Sequence, residues 1–402
     1  MINLFFITDS YSETDRYCKE LISYLTGYKT IKLHVVYVHS DKKEFLVTKQ
    51  NSITEIYIPE PLIENFNAEK YYSLCATLLY SQYSHLENVI FHLNKQTMVN
   101  MALAIQQRFN CKIVYTLHSL PDNYRYFKYL DVPIKISDSI EELQYKQMLA
   151  VSDQIICETL SSENIVKKLF NIPQTKINTI FNGIDFIHPD TNTNKSFQKE
   201  QFGFNPEEKV ILYVGQSDSH QVINSLINAF KEVLTEFPKT RLVIGGKDNS
   251  TEYFKSVRDI YGKVHFLSKV DNEDIHQFYN LADIGIISPG LEQCYFVALE
   301  MMNSGTPVII SDGMTELFTH EYDVLKFKLK VKTDEEKLTL QPDETDLAKQ
   351  IKRLISLPDL ANKLCRNAKK KVQRELTGKI MGKQTLEVYK KLITNTTESI
   401  RN

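Results

Sequence analysis

Glu292 and Glu300 are the two residues whose type and spacing best suit chemistry in this chain. They sit in Ser288-Pro289-Gly290-Leu291-Glu292-Gln293-Cys294-Tyr295-Phe296-Val297-Ala298-Leu299-Glu300, after an apolar run and before Gly305. The pattern predicts a buried strand, a tight turn, and a helix starting near Glu292. Backbone N–H groups at residues 293–296 would then point out of the helix start, where they can hold a phosphate. Along that helix the two carboxylates are separated by about 12 Å of rise and about 80° of rotation. One elongated ligand can meet both carboxylates while its phosphates meet the amides. A nucleotide diphosphate sugar has that shape.

Such a site needs a scaffold, and the rest of the chain supplies one. Apolar, β-branched runs predict strands at Asn3–Thr8, Lys32–Val38, Ile53–Ile58, Asn88–Leu93, Lys112–Leu117, Gln154–Cys157 and Lys176–Ile180. Helical periods fill 13–26, 67–83, 97–109, 137–150 and 161–170. The second half repeats the theme, with strands at Val210–Val214, Arg241–Gly245, Val264–Leu267, Ile284–Ser288 and Val308–Ser311. Its helical stretches are 220–236, 251–260, 272–281, 292–304 and 344–375. Strands alternating with helices read as βαβ units around parallel sheets. The turn at Asn182-Gly183 and the polar run from Asp190 mark a boundary. The expected domains are 1–185, joined by a returning helix within 380–402, and 186–379.

Composition narrows the function further. The chain has 402 residues, with 48 Lys/Arg against 50 Asp/Glu, which excludes a globally basic nucleic-acid binder. No apolar run reaches the roughly 18–20 residues of a membrane helix. The six cysteines (Cys18, Cys75, Cys111, Cys157, Cys294, Cys365) show no CxxC spacing, which fits reduced thiols in a cytoplasmic protein. Residues 361–402 carry 11 Lys/Arg against three Asp/Glu. That excess reads as a solvated helical face or as a contact with a membrane surface or protein partner.

Glu292-x7-Glu300, preceded by Ala282-Asp283 and Ser288-Pro289 and followed by Ser304-Gly305-Thr306-Pro307-Val308, resembles the signature of the glycosyltransferase family 4 type. Phe181-Asn182-Gly183-Ile184-Asp185 is similar to that family's linker, and Leu212-Tyr213-Val214-Gly215 to the first strand of its donor domain. The resemblance implies a GT-B fold: two Rossmann-like, doubly wound α/β domains around an interdomain cleft. It implies a retaining transfer of sugar from a nucleotide diphosphate sugar to a hydroxyl acceptor, be it glycan, lipid or peptide. Neither metal nor resident cofactor is expected. Glu300 would hold the ribose hydroxyls and Glu292 the donor-sugar hydroxyls. Amides near Gln293, Cys294 and Tyr295 would meet the diphosphate. His118, ending Tyr115-Thr116-Leu117-His118, would face the transferred sugar or the attacking hydroxyl.

The chain departs from the family in two places. Members usually carry Arg after the glycine equivalent to Gly215 and Lys five residues later; here Gln216 and Gln221 stand instead. Lys247, after Gly245-Gly246, would supply one cation, and Lys269 or His220 another. The loop after the first strand, Asp9-Ser10-Tyr11-Ser12-Glu13-Thr14-Asp15, holds three acids and no glycine. These departures support an alternative, a GT-B subunit with weak or no activity that serves another transferase.

Overall fold

The computed structural model describes all residues except 10–14, 51, 62–66, 121–123, 125–138, 186–194, 216–219, 246–252, 268–271, 288–293, 313–315, 335–336 and 400–402. The chain divides into two compact units, one made of Met1–Phe127, Val132–Asn182 and Gly378–Asn402, the other chiefly of Gly183–Thr377.

In the first unit the described elements run β1 (Ile2–Asp9), α1 (Asp15–Thr26), β2 (Ile31–Ser40), β3 (Leu46–Gln50), β4 (Ile53–Pro59), α2 (Ala68–Tyr83), β5 (Val89–Leu93) and α3 (Val99–Arg108). They continue with β6 (Cys111–Leu117), α4 (Ile140–Val151), β7 (Gln154–Cys157), α5 (Leu160–Leu169) and β8 (Ile177–Thr179). The strands lie in the order β3-β4-β2-β1-β5-β6-β7-β8. All neighbours are parallel except β3 with β4. Central strands such as Val89–Leu93 are buried throughout, as a sheet with helices on both faces requires. Polar side chains start the helices where the sequence offers them. Asn67 accepts from Lys70 N, Ser139 from Glu142 N, and Thr159 pairs reciprocally with Ser162.

The second unit contains α6 (Lys195–Gln201), β9 (Lys209–Val214), α7 (His220–Glu236), β10 (Thr240–Gly245), α8 (Phe254–Val257), β11 (Val264–Leu267), α9 (Asn272–Leu281), β12 (Ile284–Ile287) and α10 (Cys294–Ser304). It continues through β13 (Val308–Ser311), β14 (Leu325–Phe327), β15 (Leu329–Asp334), β16 (Lys337–Pro342), α11 (Glu344–Ser356) and α12 (Pro358–Glu375). Its main sheet has the order β11-β10-β9-β12-β13-β14, and β15 pairs with β16 in a separate antiparallel ribbon. The stretch expected as one helix over 344–375 is two, because Pro358 pushes Leu357 out of helical geometry and opens α12 instead.

The last helix, α13 (Gly378–Ser399), returns to the first unit and packs on α1. Gly382 makes that contact: a Cβ there would lie 1.9 Å from Tyr24 Cδ1. Tyr389, also on α13, reaches the core, where its hydroxyl lies 2.6 Å from His92 Nδ1. The units divide at Asn182/Gly183, three residues before the expected boundary. Ile184 already belongs to the second unit, donating its N–H to Leu376 O at 3.0 Å and bridging to Thr377. Among the described residues no helix is long and apolar enough to cross a membrane.

Candidate active site

The strand order of the second unit identifies where a ligand should bind. Chain progression from β9 goes outward to β10 and β11 on one side, then resumes at β12 on the other. The carboxyl ends of β9 and β12 therefore flank the switch point of a doubly wound sheet, the usual ligand crevice. Gly215 follows β9 and ties its end to the neighbouring strand, donating its N–H to Gly245 O at 3.1 Å. Gln221 is half-buried in the first turn of α7. His220, which opens α7, stacks on Tyr253 with centroids 4.8 Å apart. Its Nδ1 accepts from Asn224 Nδ2 at 2.6 Å, and Asn224 is itself held by Ser256.

Helix α10 leaves the other flank. It packs hard on its preceding strand: a Cβ on Gly285 would lie 2.4 Å from Met301 Sδ. Its far end closes at Gly305, whose φ of +82° lets Thr306 N–H return to Met301 O. Thr306 Oγ1 donates to Tyr279 O on α9 at 2.7 Å, which fixes α10 against α9. Glu300 is consequently held at 5% exposure, its carboxylate 4.0 Å from His276 Nε2 on α9. A solvated surface glutamate would not be buried to that degree. Tyr295, in the first turn of α10, is also buried and lies beside Phe318. Cys294 is the first residue of α10. Gln216, Lys247, Glu292 and Gln293 lie outside the described residues, as does Lys269.

In the first unit, polar residues gather where successive parallel strands end. Lys95, after β5, donates to Asp9 at the end of β1 at 3.0 Å. Lys95 is thus a counter-charge for Asp9. His118 follows β6. Its Nδ1 lies 2.6 Å from Glu158 Oε1, after β7, and its Nε2 lies 3.1 Å from Asn94 Oδ1, after β5. The ring is thus bonded on both sides to side chains, and Tyr17 covers it edge-on at 4.6 Å. Beneath it, Tyr17, Thr116, His92 and Tyr389 form a continuous buried hydrogen-bonded chain. Burial, with His118 contributing, pushes His92 down to about 3. Glu158 and Asn94 were not singled out from the sequence. Their signal was available as polar residues immediately after two predicted parallel strands.

Comparison with known proteins agrees with this architecture. Two family models match in tandem: "Glycosyltransferase Family 4" over residues 14–186 and "Glycosyl transferases group 1" over residues 194–371. The chain belongs to the glycosyltransferase family 4 type. An uncharacterised glycosyltransferase of Methanocaldococcus jannaschii is 30% identical over 262 residues, covering 63% of this chain and 64% of that protein. The next three curated relatives are matched over 50%, 40% and 48% of their own lengths, so the chain spans about half the length of these relatives. Among solved structures, the sucrose-phosphate synthase of Thermosynechococcus elongatus superposes with a TM-score of 0.75 at 18% identity, over 98% of this chain and 100% of that one. HepE of Anabaena, solved with UDP and glucose, gives 0.72 at 16% identity over 97% and 100%. These likenesses establish the fold as GT-B.

Proposed function

We propose that this protein transfers a sugar, with retention of anomeric configuration, from a nucleotide diphosphate sugar to a hydroxyl acceptor. The observation that carries the reading is the buried carboxylate of Glu300, on the helix leaving the switch point of the second unit. A carboxylate can accept from both hydroxyls of a ribose. With Glu300 on the ribose, the diphosphate meets the amides of Gln293, Cys294 and Tyr295 at the start of α10, where the helix dipole favours negative charge. Glu292 takes the hydroxyls of the sugar. After Gly215, Gln216 and Gln221 would serve the phosphates as uncharged donors, and Lys247 would supply a cation. The binding of UDP by a protein of the same fold is consistent with this assignment.

The reaction forms a bond from the acceptor oxygen to the anomeric carbon on the face from which the diphosphate departs. The carbon–phosphate-oxygen bond breaks, and the departing phosphate takes the hydroxyl proton. Catalysis then rests on positioning and on stabilising the leaving group. No resident cofactor or metal enters this scheme. The test is to incubate the protein with UDP- and GDP-sugars and read the sugar released or transferred by NMR. A product that keeps the donor's anomeric configuration supports the reading. Inverted product, or no consumption of any donor, overturns it.

A further inference from the structure

We propose that Glu158 and Asn94 are positioning residues that hold His118 as a fixed positive charge. His118 then does not act as a proton acceptor. The inference rests on the proposed transfer for its catalytic meaning, but not for its geometry. Asn94 Nδ2 donates to Ile7 O on β1 at 2.8 Å, which settles the amide's orientation and leaves Oδ1 facing the ring. That oxygen can only accept, and so can an ionised Glu158. Both ring nitrogens of His118 therefore face acceptors, at 2.6 and 3.1 Å, and the ring satisfies them by donating from both. The pair is enclosed: the side chain of His118 is 11% exposed and that of Glu158 is 7% exposed. In such a setting an unbalanced carboxylate would be costly, and the imidazolium balances it.

The other titratable groups around the ring fit this arrangement. Tyr17, on α1, meets it with a ring edge and spends its hydroxyl on Thr116. His92, on β5, is engaged by Thr116 and Tyr389. Lys95 and Asp9 neutralise each other. Four neighbouring strands, β1, β5, β6 and β7, are thereby linked at their carboxyl ends through Ile7, Asn94, His118 and Glu158. What this edge presents to a ligand is a rigid, charge-balanced cation with no free lone pair. That suits contact with sugar hydroxyls and with charge developing on an oxygen, and it excludes general-base chemistry at His118.

The decisive test is nitrogen-detected NMR of the His118 ring, assigned with His118→Gln, which needs no turnover. Wild-type protein at neutral pH is expected to show both ring nitrogens protonated, and Glu158→Gln to show one bare. A single bare nitrogen in the wild type overturns the proposal. Kinetics supply the second reading. Glu158→Gln is expected to lower kcat by about 10- to 100-fold, with the donor KM nearly unchanged and a changed pH profile. An unchanged kcat and pH profile in a folded Glu158→Gln protein would leave the pair a purely structural one and overturn its catalytic meaning. If wild type transfers no sugar while both nitrogens are protonated, the proposed function fails and the positioning stands.

Discussion

In the proposed function the single carboxylate of Glu300 holds two ribose hydroxyls. Hydrogen bonds to a charged group are worth about 1.5–3 kcal/mol each. Glu300→Ala is therefore expected to weaken nucleotide binding by roughly 100-fold or more while the protein remains folded, read by calorimetry with UDP or GDP. The opposite change is expected at Gln216 and Gln221. A charged donor aimed at a leaving group is worth on the order of 10²–10³ in rate. Gln216→Arg with Gln221→Lys should raise kcat by at least tenfold, and an unchanged rate would show that other groups already neutralise the phosphates. The buried position of Glu300 on a helix that follows a core strand was legible in the sequence, because strand, helix and Gly305 lie within one continuous segment. Glu158 and Asn94 were legible only as polar residues after two strands: they stand 40 and 24 residues from His118, and the sheet order is what brings them to it.

Among the elements, α13 depends on one glycine. Gly382→Ala would improve intrinsic helix propensity by about 1 kcal/mol. It would also drive a methyl into Tyr24, a clash whose relief costs about 1–3 kcal/mol. Net destabilisation is expected in urea unfolding, and Tyr24→Leu should recover part of it, since the two residues share one contact. Stabilisation by Gly382→Ala alone would refute this account of the α1–α13 packing. The elements themselves were mostly readable, since apolar β-branched runs such as Val210–Val214 announce buried parallel strands. The short edge strand Leu46–Gln50 was not readable. Its residues are half-exposed or exposed, so no burial pattern was imprinted on the sequence. The ribbon of Leu329–Asp334 and Lys337–Pro342 was missed for a related reason, being rich in lysine and threonine and outside the main sheet.

Across the whole molecule, acid should act through buried histidines. His34 is buried, stacked on Phe5 with centroids 4.4 Å apart, and its ring nitrogens have no hydrogen-bond partner among the described residues. Burial pushes it down to about 4, with Lys32 and Lys49 adding to the effect. Unfolding releases it to a value near 6.5, so between about pH 6.5 and 4 the unfolded chain binds the extra proton. Stability is then full above about pH 6.5 and is lost as pH falls, by up to about 1.4 kcal/mol per pH unit for this residue. His92 adds the same sign down to about 3. His34→Phe should flatten the fall measured by urea unfolding between pH 6.5 and 4, and a curve parallel to wild type would disprove the assignment.

The proposed nucleotide-sugar site is built around Glu300, in a family 4 glycosyltransferase chain that has Gln216 and Gln221 where the family usually carries Arg and Lys. Calorimetric titration of wild-type and Glu300→Ala protein with UDP, GDP and their sugar conjugates decides whether that site works. The expected result is micromolar binding of at least one nucleotide by the wild type and its loss in Glu300→Ala. Absence of binding to every nucleotide, or equal binding by both proteins, would contradict it.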